Sequence, residues 1–95
     1  MEDVTTFLEH PWVKHVSESR YMVELLKFLS IGRKVSTILS HFKELPEEYV
    51  LGALEALESL GVVKSLDVGE EKFYVLSSQG RILLAYIEDL QKPSV

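Results

Sequence analysis

The sequence predicts a mostly helical α+β domain: three helices, a two-stranded β-hairpin and a closing helix, with a helical extension in front. Three observations carry that expectation. Met22, Leu25, Leu26 and Leu29 stand at i, i+3, i+4 and i+7, the spacing of an amphipathic helix. Residues 62–66 and 73–76 are short β-forming runs on either side of a Gly-containing turn, the pattern of a hairpin. From Ile82 to Leu90 the chain is apolar around most of a helical circumference.

The elements follow in order. Val4, Phe7 and Leu8 are helically spaced after Asp3, which can cap them, and Pro11 stops this helix near His10 because proline disfavours helical geometry in the residue before it. Trp12, Val13 and Val16 continue the apolar character with no defined shape, and residues 1–16 form the extension. Ser17 or Ser19 caps the helix that carries Leu25 and Leu26, and Gly32 ends it. Arg33, Lys34 and Val35 read as a short extended piece. Ser36 caps a second helix with Ile38, Leu39 and Phe42 on its buried face. Leu45-Pro46 makes the turn into a third helix, with Pro46 suited to its first turn. That helix puts Val50, Ala53, Leu54 and Leu57 on one side and Glu48, Gly52, Glu55 and Ser59 on the other, and it ends at Gly61. After the hairpin, whose turn spans 67–72, Ser77 or Ser78 caps the closing helix, which runs from about Gly80 to Gln91 and frays before Pro93.

Composition bounds the function. Ninety-five residues, 46% of them hydrophobic, suit one domain, and a chain this short buries only part of its surface, so an oligomer is expected. The absence of cysteine excludes disulfides, thiolate metal sites and a cysteine nucleophile. No apolar run reaches the ~18–20 residues needed to span a bilayer, and Met1-Glu2-Asp3 lacks the basic start of a secretion signal. A soluble cytoplasmic protein is expected. His10, His15 and His41 have no recognised zinc spacing. Glu47-Glu48 and Glu70-Glu71 are neighbours that do not face one another, and no serine sits in a nucleophile motif, so no catalytic site, metal or cofactor is expected.

Charge is the informative feature. The net charge is -5, yet from Leu25 to Lys43 every charge is positive (Lys27, Arg33, Lys34, Lys43), with His41 beside them. From Glu44 to Glu58 every charge is negative (Glu44, Glu47, Glu48, Glu55, Glu58). The closing helix, apolar nearly all round, predicts burial on more than one side. Leu84, Ile87 and Leu90, with Phe7, Leu8 and Trp12, are the expected contact with a second copy of the chain.

The stretch V-S-T-I-L-S-H-F-K-E-L-P-E-E-Y-V-L-G-A-L-E-A-L-E-S-L-G-V-V-K resembles the helix-turn-helix of winged-helix regulators. Within it, L-E-S-L-G-V-V-K resembles the junction between recognition helix and wing. F-Y-V-L-S-S-Q-G-R-I-L-L is similar to the wing's return strand and following helix in the MarR and ArsR families and small archaeal relatives. The resemblance covers about residues 20–91. It implies a helix-turn-helix over 36–61, a wing over 62–76 and a dimerisation helix over 78–91, with double-stranded DNA as partner. It assigns phosphate positioning to Arg33, Lys34, Ser36, Thr37 and Lys43, base contact to Glu48, Tyr49, Gly52 and Glu55, and a wing-tip contact to the segment ending at Lys72. The sequence departs from the family pattern in having no Lys or Arg between Glu44 and Lys64. The alternative reading is a protein-interaction module that docks a basic partner on this acidic helix without binding DNA.

Overall fold

The computed structural model describes residues 4–92. Two short helices, α1 (Val4–Leu8) and α2 (Pro11–Glu18), precede α3 (Arg20–Phe28). Then come β1 (Arg33–Lys34), α4 (Val35–His41), α5 (Glu47–Ser59), β2 (Val63–Val68), β3 (Glu71–Leu76) and α6 (Ser78–Gln91). Asp3 and Pro93, the expected cap and end, lie outside the described residues. Among the described residues no helix is long and apolar enough to cross a membrane.

Proline decides the N-terminal geometry. The first helix ends at Leu8, and Pro11 then opens α2 at the first helical position, where its missing N–H is no loss. Trp12, Val13 and Val16 therefore belong to a helix of their own rather than to an irregular continuation. The Ser19 hydroxyl caps α3 by accepting the Met22 N–H at 3.3 Å. Val23, Leu25, Leu26 and Leu29 are buried and Met22 only partly so, because α3 is covered by both α2 and α6. Ser36 is not a cap: Lys34 takes that position and Ser36 sits exposed in the first turn of α4. Pro46 likewise stands just before α5 as its N-cap residue rather than inside the helix.

The C-terminus of α5 closes on itself. Gly61 takes φ +81°, Val62 N–H bonds to Leu57 O at 3.1 Å and Gly61 N–H to Glu58 O at 3.0 Å. This paired closure with a left-handed glycine satisfies two orphan carbonyls, and Val62 and Leu57, both fully buried, make its hydrophobic contact. The chain then reverses into an antiparallel sheet of order β1-β3-β2. Val63 pairs with Leu76 and Val68 with Glu71, so the hairpin loop is only Gly69-Glu70, shorter than the turn expected over 67–72. Gly69 at φ +65° supplies the backbone sign that such a two-residue loop requires. Val63, Tyr74 and Leu76 face the core, while Leu66 and Val68 stand exposed on the other side of the sheet along its free edge.

The closing helix corrects one expectation. Leu83, Leu84 and Ile87 are buried within the chain, as is Phe7, so Leu84, Ile87 and Phe7 are not outward positions. Packing against α3 and β3 covers more of α6 than its apolar circumference alone indicates. The outward stripe is Ile82, Tyr86 and Leu90, with Leu90 58% exposed.

At its start, α6 is pressed onto the α5–β2 junction. The Ser77 N–H donates to Val62 O at 3.0 Å, and the Ser77 hydroxyl donates to Gly61 O at 2.6 Å while accepting from the Gly80 N–H at 3.1 Å. Gly80 lies so close to this turn that a Cβ there would overlap the Val62 carbonyl oxygen and approach Leu76 Cδ2 to 3.1 Å. Gly80→Ala is therefore expected to destabilise the fold by about 3 kcal/mol or more, because the obstructing atom is backbone and cannot rotate away. Denaturant unfolding measures this, and a loss below roughly 1 kcal/mol would show that the junction yields.

Candidate nucleic-acid interface

The basic segment spans β1, α4 and the turn after it, and its members differ in how free they are. Arg33 is held: its Nε–H donates to Phe28 O at 3.0 Å and its guanidinium lies 4.3 Å from the centre of the Phe28 ring. Lys34 reaches across to the wing and pairs with Glu71 at 3.4 Å, both side chains about half exposed. Such a pair is worth at most about 1 kcal/mol, and it offsets the lysine's charge without immobilising it strongly. Lys43 is exposed and makes no ion pair among the described residues. Ser36, Thr37 and Ser40 present exposed hydroxyls along the outer side of α4. Ser36, Ser40 and Lys43 share a shallow depression with Glu47 at the start of α5.

On α5 the apolar positions are turned inward and the acidic ones outward. Val50, Leu54 and Leu57 are buried; Glu48, Gly52, Glu55 and Ser59 form the exposed stripe opposite. Among the described residues nothing lies within 4 Å of where a Gly52 Cβ would be, so no contact with them requires a glycine there. Tyr49 leaves the stripe. It is half exposed and borders a narrow apolar cleft with Tyr21, Met22 and Phe42, on the α3 side of the helix. Glu58 turns the other way, accepting the Ser65 hydroxyl at 2.6 Å and tying α5 to β2. At the wing, exposed Lys72 lies 5.7 Å from the Tyr74 ring centre, near Glu70 and Glu71.

The structure thus places Ser36, Thr37 and Lys43 on the outer surface of α4 and the turn after it, with Glu47 at the start of α5 beside Ser36 and Lys43, while Glu48, Gly52 and Glu55 form the exposed stripe further along α5. Arg33 and Lys34 lie at its edge, each already engaged. Tyr49 is set apart on the flank, and Lys72 on the hairpin. Ser40 and His41, which the sequence reading left out of the phosphate-contact set, lie in the same surface. Ser40 is one helical turn after Ser36, a spacing that was visible; His41 becomes notable only through its stacking on Phe28, which belongs to a different helix.

No family model and no curated protein matches the chain. Among solved structures it is similar to HlyU from Vibrio cholerae N16961, at a TM-score of 0.69 and 19% identity, over 96% of this chain and 98% of that one. It is similar to NadR in complex with 4-hydroxyphenylacetate, at 0.68 and 19% identity, covering 90% of this chain but only 62% of NadR. It is also similar to the diamide-treated YodB from B. subtilis, at 0.63 and 17% identity, over 90% and 80% of the two chains. Three helices in series, an antiparallel hairpin and a closing helix, arranged as in these proteins, make this chain a winged helix-turn-helix fold, with α3, α4 and α5 as its helical core and β2–β3 as its wing.

Proposed function

We propose that this chain is a DNA-binding, transcription-regulator-like protein that works in the cytoplasm as a homodimer, with residues 1–95 acting as one winged-helix unit. The observation that carries the reading is the outer surface of α4: three exposed hydroxyls and a Lys43 with no ion pair among the described residues, meeting the start of α5 at Glu47. In a helix-turn-helix the helix before the recognition helix lies across the phosphate backbone, the recognition helix enters the major groove and a wing reaches the neighbouring one. Hydroxyls and lysines are the groups that position a phosphate backbone. The fold neighbour YodB is described as a transcriptional regulator, which supports the same reading. Nothing in these comparisons favours the docking of a basic protein on α5.

In this reading Ser36, Thr37 and Lys43 hold phosphates, Arg33 and Lys34 support them from the edge, and Lys72 follows from the wing. Glu48, Gly52 and Glu55 face the base edges, where a carboxylate can accept from the amino group of cytosine. Tyr49 contributes from the flank. The acids also repel phosphate, so affinity rests on α4 and the wing while α5 supplies discrimination.

The dimer reading rests on α6 and the N-terminal helices. An open groove of about 530 Å³, lined by Leu8, Pro11, Tyr86 and Leu90 among others, runs beside the outward stripe. Trp12, packed edge-on against Phe7 at 5.5 Å, stiffens its N-terminal wall. A second copy's α6 fits this surface, and Phe7, Leu84 and Ile87 form the layer behind it. A chain this small gains most from hiding such a stripe.

Three outcomes follow. Titrated with random-sequence duplex, the protein should bind with an affinity that falls steeply with salt, and Lys43→Ala should lower the log–log salt slope by about 0.9. Absence of binding at low salt would remove the DNA reading. Replacing Glu48 and Glu55 together by Gln should raise non-specific affinity about fivefold, since two screened negative charges leave the neighbourhood of phosphate; a double variant no tighter than the parent would take α5 out of the groove. Leu90→Glu, at an exposed position, should leave the chain folded but monomeric in sedimentation. A parent protein that is itself monomeric at micromolar concentration would rule out the dimer.

A further inference from the structure

Phe28, at the end of α3, carries a charged or chargeable group on each side. The Arg33 guanidinium lies 4.3 Å from its ring centre and the His41 imidazole 4.0 Å away, nearly parallel at 11°. Two planar groups at those heights cannot share one face, so the ring is sandwiched between them. His41 Nε2 lies 3.4 Å from Glu24 Oε1, and the His41 side chain is 39% exposed. Its other ring nitrogen, Nδ1, has no hydrogen-bond partner among the described residues. The ring also lines an open depression with Ser36, Thr37 and Ser40, the hydroxyl-bearing surface of α4.

The geometry points to His41 as a phosphate-binding residue whose protonation couples DNA affinity to pH. This inference rests on the DNA reading above. A neutral imidazole has one N–H and can serve one acceptor; an imidazolium has two. In the charged form Nε2 keeps its 3.4 Å ion-pair contact with Glu24 and the Nδ1–H is left for a second acceptor, a role for a backbone phosphate oxygen seated in the depression beside Ser36 and Ser40. The stack on Phe28 fixes the ring plane, so little conformational freedom is lost when phosphate arrives, and a cation on an aromatic face is itself favourable. Charged groups face His41 from the elements packed against it: Glu24 from α3 at 3.4 Å and Arg33 from β1 across the Phe28 ring, with Lys43 two residues further along the chain. A bound phosphate favours the imidazolium, so binding takes up a proton.

The sign follows from linkage. A ligand that prefers the protonated form binds more tightly as pH falls, by at most tenfold per pH unit for one site. Histidine is the side chain that ordinarily titrates within this range. With a random-sequence duplex at fixed low salt, the parent protein should gain about five- to tenfold in affinity between pH 8 and pH 6, and His41→Gln should bind with less than about twofold change over the same range. Calorimetry in buffers of different ionisation enthalpy should show proton uptake by the parent and none by the variant. Should His41→Gln fail to fold, the imidazole resonances of the parent protein settle the matter, since the His41 titration midpoint should move upward when duplex is added. An equal pH response in parent and variant, or a midpoint that duplex leaves in place, overturns the role of His41 while DNA binding stands. Failure to bind duplex at any pH overturns both.

Discussion

The wing's position depends on one close approach: the first turn of α6 against the carbonyl of Val62. That carbonyl belongs to the residue where the α5 helix has just been closed by Gly61 and where β2 is about to begin. Ser77 binds it through its N–H and binds the preceding Gly61 carbonyl through its hydroxyl, while Gly80 lets the helix backbone come down on the same turn. Three elements are thereby indexed on two peptide groups. The angle between α5 and the hairpin follows from that indexing. Beneath it the core is fully apolar, with Leu26, Leu29, Ile38, Leu54, Leu57, Val62, Leu83 and Ile87 all sealed from solvent.

The surface shows a different economy. Cations that a charge count credits to a nucleic-acid face are partly committed inside the molecule: Arg33 to Phe28, Lys34 to Glu71, Arg81 to the Ser30 carbonyl at 3.1 Å. Several acids are committed too, Glu58 to Ser65 and Glu24 to His41. From α4 to the start of β2 the balance that a ligand meets is therefore set by the charges without an ion pair or side-chain hydrogen bond among the described residues, Lys43 and Lys64 against Glu44, Glu47, Glu48 and Glu55, rather than by the net charge of -5.

Local sequence made most elements legible because local physics decides them. The i, i+3, i+4 spacing on α3 and α5, the glycine at 61 and the serine at 77 each report an interaction within one or two turns. The turn at Gly69-Glu70 was blurred because Asp67 and Val68 pair with Lys72 and Glu71 across the strand, a register that residue types do not reveal. Leu84 and Ile87 were misjudged for a related reason. Their apolar character says that they are covered, and only the packing of α6 against the rest of the chain says by what. Of the candidate interface, the hydroxyls and lysines were readable as a group, whereas the Arg33–Phe28–His41 stack joins three separate elements and leaves no periodic trace.

The sheet order β1-β3-β2 leaves β2 with one edge unpaired, and unlike the two-residue β1 it is six residues long. It carries exposed Leu66 and Val68, interspersed with the charged Lys64 and Asp67. An edge of that length and apolarity is a template for a further strand, and charged neighbours are the usual defence. The acidic surplus of the chain then has a colloidal role: it holds copies apart at concentrations where their free edges would otherwise find one another. Solubility should be lowest near the sequence isoelectric point of about 5.1, where that repulsion vanishes.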